Sequence, residues 1–149
     1  MQGSIKISEE ITVGGQPSES QLQELAKEGF KTVVNLRTAG EREQPLSPEE
    51  EGARAMALGM QYLHIPVSGQ QMLPEQVDQF RRDLARLPGP VFVHCYKGTR
   101  AEVFAMMHTA AQAGLTGEQT LERAQQIGCQ WNNPALKEFV KAYVDRCRK

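Results

Sequence analysis

Cys95, Gly98 and Arg100 are the residues of this chain whose types and spacing suggest chemistry. They lie in a tight loop, Cys95-Tyr96-Lys97-Gly98-Thr99-Arg100. Before it comes an apolar run, Val91 to Val93; after it Val103, Phe104, Met107, Ala110 and Ala111 recur at helical spacing up to Gly114. A strand, a glycine-containing loop and a helix N-terminus together make an anion site, because unpaired N–H groups and the positive end of the helix dipole converge on one point. A cysteine at the mouth of such a nest is stabilised as thiolate, the nucleophilic form, and an arginine offers a bidentate fork to an oxyanion. The expected chemistry is attack by Cys95 on an anionic centre held by Arg100 and by the backbone of Tyr96, Lys97, Gly98 and Thr99.

The other candidates are weighed against blander roles. Cys129 and Cys147 have no glycine–arginine context and read as small hydrophobes. A cation on the first turn of a helix opposes the dipole unless an anion compensates, which favours a ligand for Arg100. Lys97 either adds to the field or is solvated. His94 is expected to orient the loop by hydrogen bonding, and Glu102 to complement the helix N-terminus. His64 and His108 read as structural. Arg37 ends a strand on the same side of the sheet, so it either supports or meets the anion, or forms an exposed salt bridge.

These residues need elements to carry them. Ile11 to Val13 reads as a first edge strand, Lys31 to Leu36 as a clear strand, and Gln61 to Val67 as another. Helices are expected from Pro17-Ser18, with Ser18 and Gln21 at capping-box spacing, and from Ser47-Pro48, with Glu50 in the same role. In the second of these, Ala53, Met56 and Ala57 are the expected inner face. Pro74 starts a third, whose Val77, Phe80, Leu84 and Leu87 make an apolar stripe. Thr116 and Asn133 begin two more. The polar loop from Thr38 to Pro45 is expected to leave Glu41, Arg42 and Glu43 solvated. Strands alternating with helices predict an α/β fold: a central, mainly parallel sheet of four to five strands with helices on both faces. Ligands in such sheets sit beyond the carboxyl ends of the strands, which is where Cys95, Arg37 and Val67-Ser68 fall.

With 149 residues the chain suits one domain, and 40% hydrophobic with 23% charged residues is ordinary for a globular protein. A formal net charge of −1 gives no pull toward nucleic acid or an anionic membrane, and no apolar run reaches the length of a membrane span. Three cysteines in no metal-ligand spacing predict neither a disulfide framework nor zinc, so no metal or cofactor is expected. A reduced, cytoplasmic setting is the expectation, with a periplasmic one open if a targeting segment has been removed. Oligomeric state is left open.

His94-Cys95-Tyr96-Lys97-Gly98-Thr99-Arg100 resembles the signature of the bacterial phosphatase-like family once called domain of unknown function 442. That family also occurs fused to beta-lactamase-like hydrolases linked to sulfide metabolism. Gly14-Gly15-Gln16-Pro17-Ser18, the run from Gly29 to Arg37, and His64-Ile65-Pro66-Val67 match in order and spacing, so the resemblance covers most of the chain and thins only from Asn133. It implies a fold like the dual-specificity tyrosine phosphatases, with Cys95 as nucleophile, Arg100 and the loop amides holding the oxyanion, a phosphocysteine intermediate, and a phosphorylated substrate or small oxyanion as ligand. Three departures stand out. Cys95 and Arg100 enclose four residues, whereas those phosphatases enclose five; four is the count in rhodanese-like sulfurtransferases, which keeps a persulfide carrier as an alternative. Ala101 replaces the hydroxyl residue that usually follows the arginine. Ser68-Gly69-Gln70-Gln71 stands where an aspartic general acid is usual, and the nearest carboxylates in sequence are Glu75 and Asp78. A non-catalytic anion-binding module is the third reading.

Overall fold

Thr32-Val33-Val34-Asn35 and Val91-Phe92-Val93-His94 are buried at every position, the pattern of strands covered on both faces. In a computed structural model that describes residues 3–148 they are β3 (Thr32–Asn35) and β5 (Val91–His94). They pair in parallel, with Val34 opposite Val93. β2 (Ile11–Gly14) pairs in parallel with the other side of β5, and β4 (Gln61–His64) with the outer side of β3. A two-residue strand, β1 (Ile5–Lys6), adds antiparallel to β2, giving the order β1-β2-β5-β3-β4. The five-stranded, mainly parallel sheet agrees with the expected class. Ile11 to Val13 is an interior strand, however, because Ile5 and Lys6 take up its outer edge.

The helices divide between two faces. α1 (Glu19–Lys27) and α2 (Pro48–Ala57) pack on one, where Leu22, Leu25 and Ala55 meet Val33 and Phe92. α3 (Pro74–Leu84), α4 (Thr99–Ala113), α5 (Gly117–Gln126) and α6 (Pro134–Cys147) share the larger core on the other. Both expected capping boxes form, Ser18 with Gln21 and Ser47 with Glu50. Val77, Phe80 and Leu84 of α3 are buried as the stripe predicts. α4 is the central helix, buried at Ala101, from Val103 to His108 and at Ala110.

α2 departs from expectation. Ala53 and Ala57 face solvent and Met56 is 67% exposed, while Pro48, Glu51, Gly52 and Ala55 are inside. Apolar periodicity misses this face because its contacts are specific: Glu51 is hydrogen-bonded, and Gly52 lies under the Tyr62 ring, where an added Cβ would come within 2.7 Å.

Candidate active site

β5 delivers His94 and Cys95 to the carboxyl end of the sheet, and α4 starts four residues after Cys95. Gly98 makes the turn between them with φ of 114°, a backbone state that disfavours a side chain. Its N–H then points at the Cys95 sulfur, 3.1 Å away. The turn is braced by the end of β2: Cys95 N donates to Gly14 O at 3.4 Å, and Gln16 N to Tyr96 O at 3.0 Å. Gly15 packs so closely beneath that a Cβ there would lie 2.9 Å from Tyr96 O. The paired glycines at 14 and 15 therefore serve the cup as well as the strand end.

The sulfur is almost fully buried, at 1% exposure, yet it sits at the floor of a cleft of about 770 Å³ that Arg100, Tyr96, Lys97 and Thr99 also line. Gly69, Gln70, Gln71 and Met72 form one wall, and Trp131, Asn132, Leu136 and Phe139 the other. The first is the loop after Val67, which the sheet geometry was expected to bring to the site. The second comes from the α5–α6 connection and the first turns of α6. It was not anticipated, because no local spacing marks a residue as facing a cleft assembled from distant segments.

His94 is fully buried and uses both ring nitrogens: Nε2 meets Glu51 Oε2 at 2.6 Å, and Nδ1 lies 3.2 Å from Cys95 O. Glu51 Oε1 accepts from Gln16 Nε2 at 2.8 Å, so one buried carboxylate ties α2 to both the β2 end and the cysteine loop. These two contacts fix the ring between α2 and the cysteine loop.

Arg100 reaches across the cleft. Nη1 donates to Val67 O at 2.7 Å and to Glu41 Oε2 at 2.7 Å, while Nη2 donates to Glu41 Oε1 at 2.9 Å. The Glu41 bond, against the opposing effect of burial, raises the guanidinium's already high pKa. Glu41 was expected to be solvated and is instead bound on every side. Thr38 N and Oγ1 donate to its Oε2 at 2.7 and 2.9 Å, and Arg37 Nε to its Oε1 at 3.0 Å. Burial works against the charged form of Glu41, but the bonds from Arg100, Thr38 and Arg37 outweigh it and hold the carboxyl at about 2. Glu43 is likewise engaged, accepting from the Tyr96 hydroxyl.

Arg37 lies outside the cleft lining, so its expected place among the anion-binding residues needs correction. Its side chain is 0% exposed, and it donates to Gln16, Glu41 and the carbonyls of Arg42 and Glu43, with the Tyr96 ring 4.8 Å from the guanidinium carbon. All of its forks are committed to the protein, as a buried arginine requires. Gly98 also turns its N–H to sulfur rather than to the open cleft. Glu75 and Asp78, the nearest carboxylates in sequence, sit on α3, and Asp78 is taken by Tyr143; the carboxylate that meets Arg100 is Glu41.

His64, His108, Glu102 and Cys129 do not line this cleft. His64 meets the Arg37 carbonyl at 2.6 Å. Burial, assisted by Arg81, lowers His108 to about 4. Glu102 accepts from Trp131 Nε1 at 2.9 Å, and burial raises its pKa. Burial also pushes the Cys129 thiol up to about 12. Among the described residues no cluster of metal-ligating side chains occurs, and no helix is long and apolar enough to cross a membrane.

A cysteine and an arginine at a strand–turn–helix junction in a parallel sheet flanked on both faces define a protein tyrosine phosphatase-like fold, and solved structures agree. Tk-PTP in its active form superposes with a TM-score of 0.80 at 20% identity, covering 97% of each chain. A DUF442 protein from Shewanella putrefaciens CN-32 superposes at 0.83 with 23% identity, covering 100% of this chain and 95% of that one. The chain belongs to the family of the phosphatase-like domain of beta-lactamase hydrolase-like proteins, which it matches over residues 5–114. A beta-lactamase hydrolase-like protein of Agrobacterium fabrum is 40% identical over 99 residues, 66% of this chain and 23% of that protein. The chain thus matches less than a quarter of the length of that relative. The family match stops at Gly114, so α5 as well as α6 lies beyond it, a shorter coverage than the sequence resemblance suggests.

Proposed function

We propose that this phosphatase-like domain hydrolyses phosphate monoesters through a phosphocysteine on Cys95. The observation that carries the reading is the placement of the Cys95 sulfur, with a backbone N–H at 3.1 Å, on the floor of a cleft that also holds the Arg100 guanidinium. Attack by the thiolate forms a P–S bond and breaks the P–O bond to the leaving group, whose oxygen takes up a proton. Water then breaks the P–S bond, releasing inorganic phosphate and restoring the thiolate. Catalysis of this kind is mostly positioning and charge stabilisation around three oxygens. Tyr96, Lys97 and Thr99 line the approach, and His94 sets the loop through Glu51.

The loop after Val67 carries amides in place of a carboxylic acid, and general acid help is worth about 10²–10⁴-fold. Aryl phosphates, whose leaving groups need little protonation, are therefore the expected substrates. The apolar wall of Trp131, Leu136 and Phe139 suits an aromatic group. Vanadate-sensitive release of p-nitrophenol from p-nitrophenyl phosphate, with a phosphorylated Cys95 trapped by rapid acid quench, tests the proposal; no release at any pH would refute it. The four-residue spacing of Cys95 and Arg100 supports a second reading as a sulfur carrier. That reading requires thiocyanate from thiosulfate and cyanide and a one-sulfur mass increase on Cys95.

A further inference from the structure

Four residues between α5 and α6, Gln130 to Asn133, line the cleft above Cys95. The first three also line a second cleft of about 620 Å³ bounded by α5, so this strip borders open space twice. Among the described residues its hydrogen bonds stay with α6, from Ala135 N and Leu136 N to Asn133 Oδ1 and from Lys137 N to Asn133 O, with one exception. Trp131 Nε1 donates across to Glu102 Oε1 of α4 at 2.9 Å. Building on the phosphatase reading above, we propose that Glu102 is a positioning residue for substrate recognition: from the helix that carries Arg100 it fixes, through Trp131, the wall that meets the organic part of the ester.

A carboxylate on a first helical turn ordinarily answers the dipole or an unpaired N–H. α4 has no side-chain cap, and the Glu102 oxygen goes instead to an indole 29 positions on. Its other oxygen lies close under the cysteine turn, 3.6 Å from where a Cβ on Gly98 would stand. One side chain therefore spans from the cup to the wall. Trp131 is 7% exposed and packed in the larger core, where an indole N–H needs an acceptor. Burial disfavours charge on Glu102, so its bond to the indole is that of acceptor to donor.

The cleft lining shows what the wall is for. On the cup side Lys97 and Arg100 supply positive charge; the α5–α6 wall supplies the amides of Gln130, Asn132 and Asn133 with apolar Leu136 and Phe139, and no ionisable group. That surface suits an uncharged organic group with both hydrogen-bonding and apolar parts. A small oxyanion is held by the cup alone. Loss of the Glu102 bond should therefore weaken the ester and spare the anion.

Glu102→Ala removes the acceptor. KM for p-nitrophenyl phosphate should rise about tenfold, the worth of one hydrogen bond, while kcat and the inhibition constant of vanadate stay within about twofold. Trp131 is the single tryptophan of the chain, so its fluorescence reports the wall directly. Acrylamide quenching should strengthen by about twofold or more in Glu102→Ala as the wall opens. Glu102→Gln keeps an acceptor and should rescue both KM and quenching. Thermal melting shows which variants fold; if Glu102→Ala does not, Trp131→Phe, which loses the donor, should raise KM in its place. An unchanged KM in a folded variant, or no rescue by Glu102→Gln, overturns the inference and leaves the phosphatase reading standing. So does a fall in kcat with matching loss of vanadate inhibition, which would make Glu102 a support of the cup. A wild type that neither hydrolyses p-nitrophenyl phosphate nor binds vanadate removes both readings.

Discussion

Around its sulfur the turn from Cys95 to Arg100 is shaped by main-chain bonds, whereas the loop from Arg37 to Glu43 is held by charged side chains. In the first, Gly14 O, Gln16 N and the Gly98 N–H fix the geometry around the sulfur. In the second, a buried guanidinium collects carbonyls and a carboxylate that would otherwise point outward. The contrast teaches that a site can combine a cup shaped by backbone bonds and by glycines that leave no room for a side chain with a supporting loop whose shape depends on ionisation. Only the first lies at a helix N-terminus, where backbone N–H groups are unpaired.

The comparison can be broken from either side. Cys95→Ser should lower kcat by at least about 10⁴-fold, the order seen when a nucleophile is removed, while circular dichroism and the melting curve stay those of the wild type. Substantial remaining turnover would remove Cys95 from the chemistry. Arg100→Lys replaces a planar fork by a point charge; kcat/KM should fall about 10²–10³-fold, the range for loss of an oxyanion donor. In the charged loop the expected damage is to folding. Arg37→Met leaves Glu41 and two carbonyls without their buried partner and should cost about 3–5 kcal/mol in urea denaturation; a small change would show that this loop is not built on charge.

Acid should separate the two regions without mutation. The folded-state pKa of Glu41, about 2, lies below its ordinary value of 4.5. Its contribution to stability is therefore complete above pH 4.5 and lost as pH falls toward 2, since the unfolded chain binds the proton first. The Thr38 amide should report that titration by NMR with a midpoint near 2, while the Gly98 amide, bonded to sulfur, does not follow it. A Thr38 midpoint at 4.5 would contradict the network. The smallest effect belongs to Lys97→Ala: an exposed side chain on a backbone-built turn should move the melting midpoint by no more than about 2 °C.

This difference also governs what could be read in the sequence. The cup is local: strand, cysteine, glycine, arginine and helix fall within twenty residues, and each local preference agrees with the fold. The parallel sheet was legible for the same reason, from Thr32-Val33-Val34 and Val91-Phe92-Val93. Glu41 was not. Acid–base–acid in a polar loop is the ordinary pattern of a solvated segment, and its partner Arg100 lies 59 positions away. Glu51 is hidden similarly, a carboxylate among three at a helix start, distinguished only by His94, 43 positions on. Its spacing of four from Ala55 was a faint sign that it faces inward. Arg37 was visible as a strand-end cation, but whether it turns to a ligand or to its own loop depends on acceptors that only folding supplies.

The strand order has a bearing on how the chain is made. β5 is the last strand to leave the ribosome, yet it lies between β2 and β3. Until it arrives, the β1–β2 hairpin and the β3–β4 pair have no shared neighbour, and each presents an unsatisfied inner edge of the kind that recruits foreign strands. The same insertion that joins the halves carries the Cys95 sulfur into place, so a nascent chain lacks the cysteine turn until its scaffold closes. A product ending before Val91 would be sticky rather than partly active.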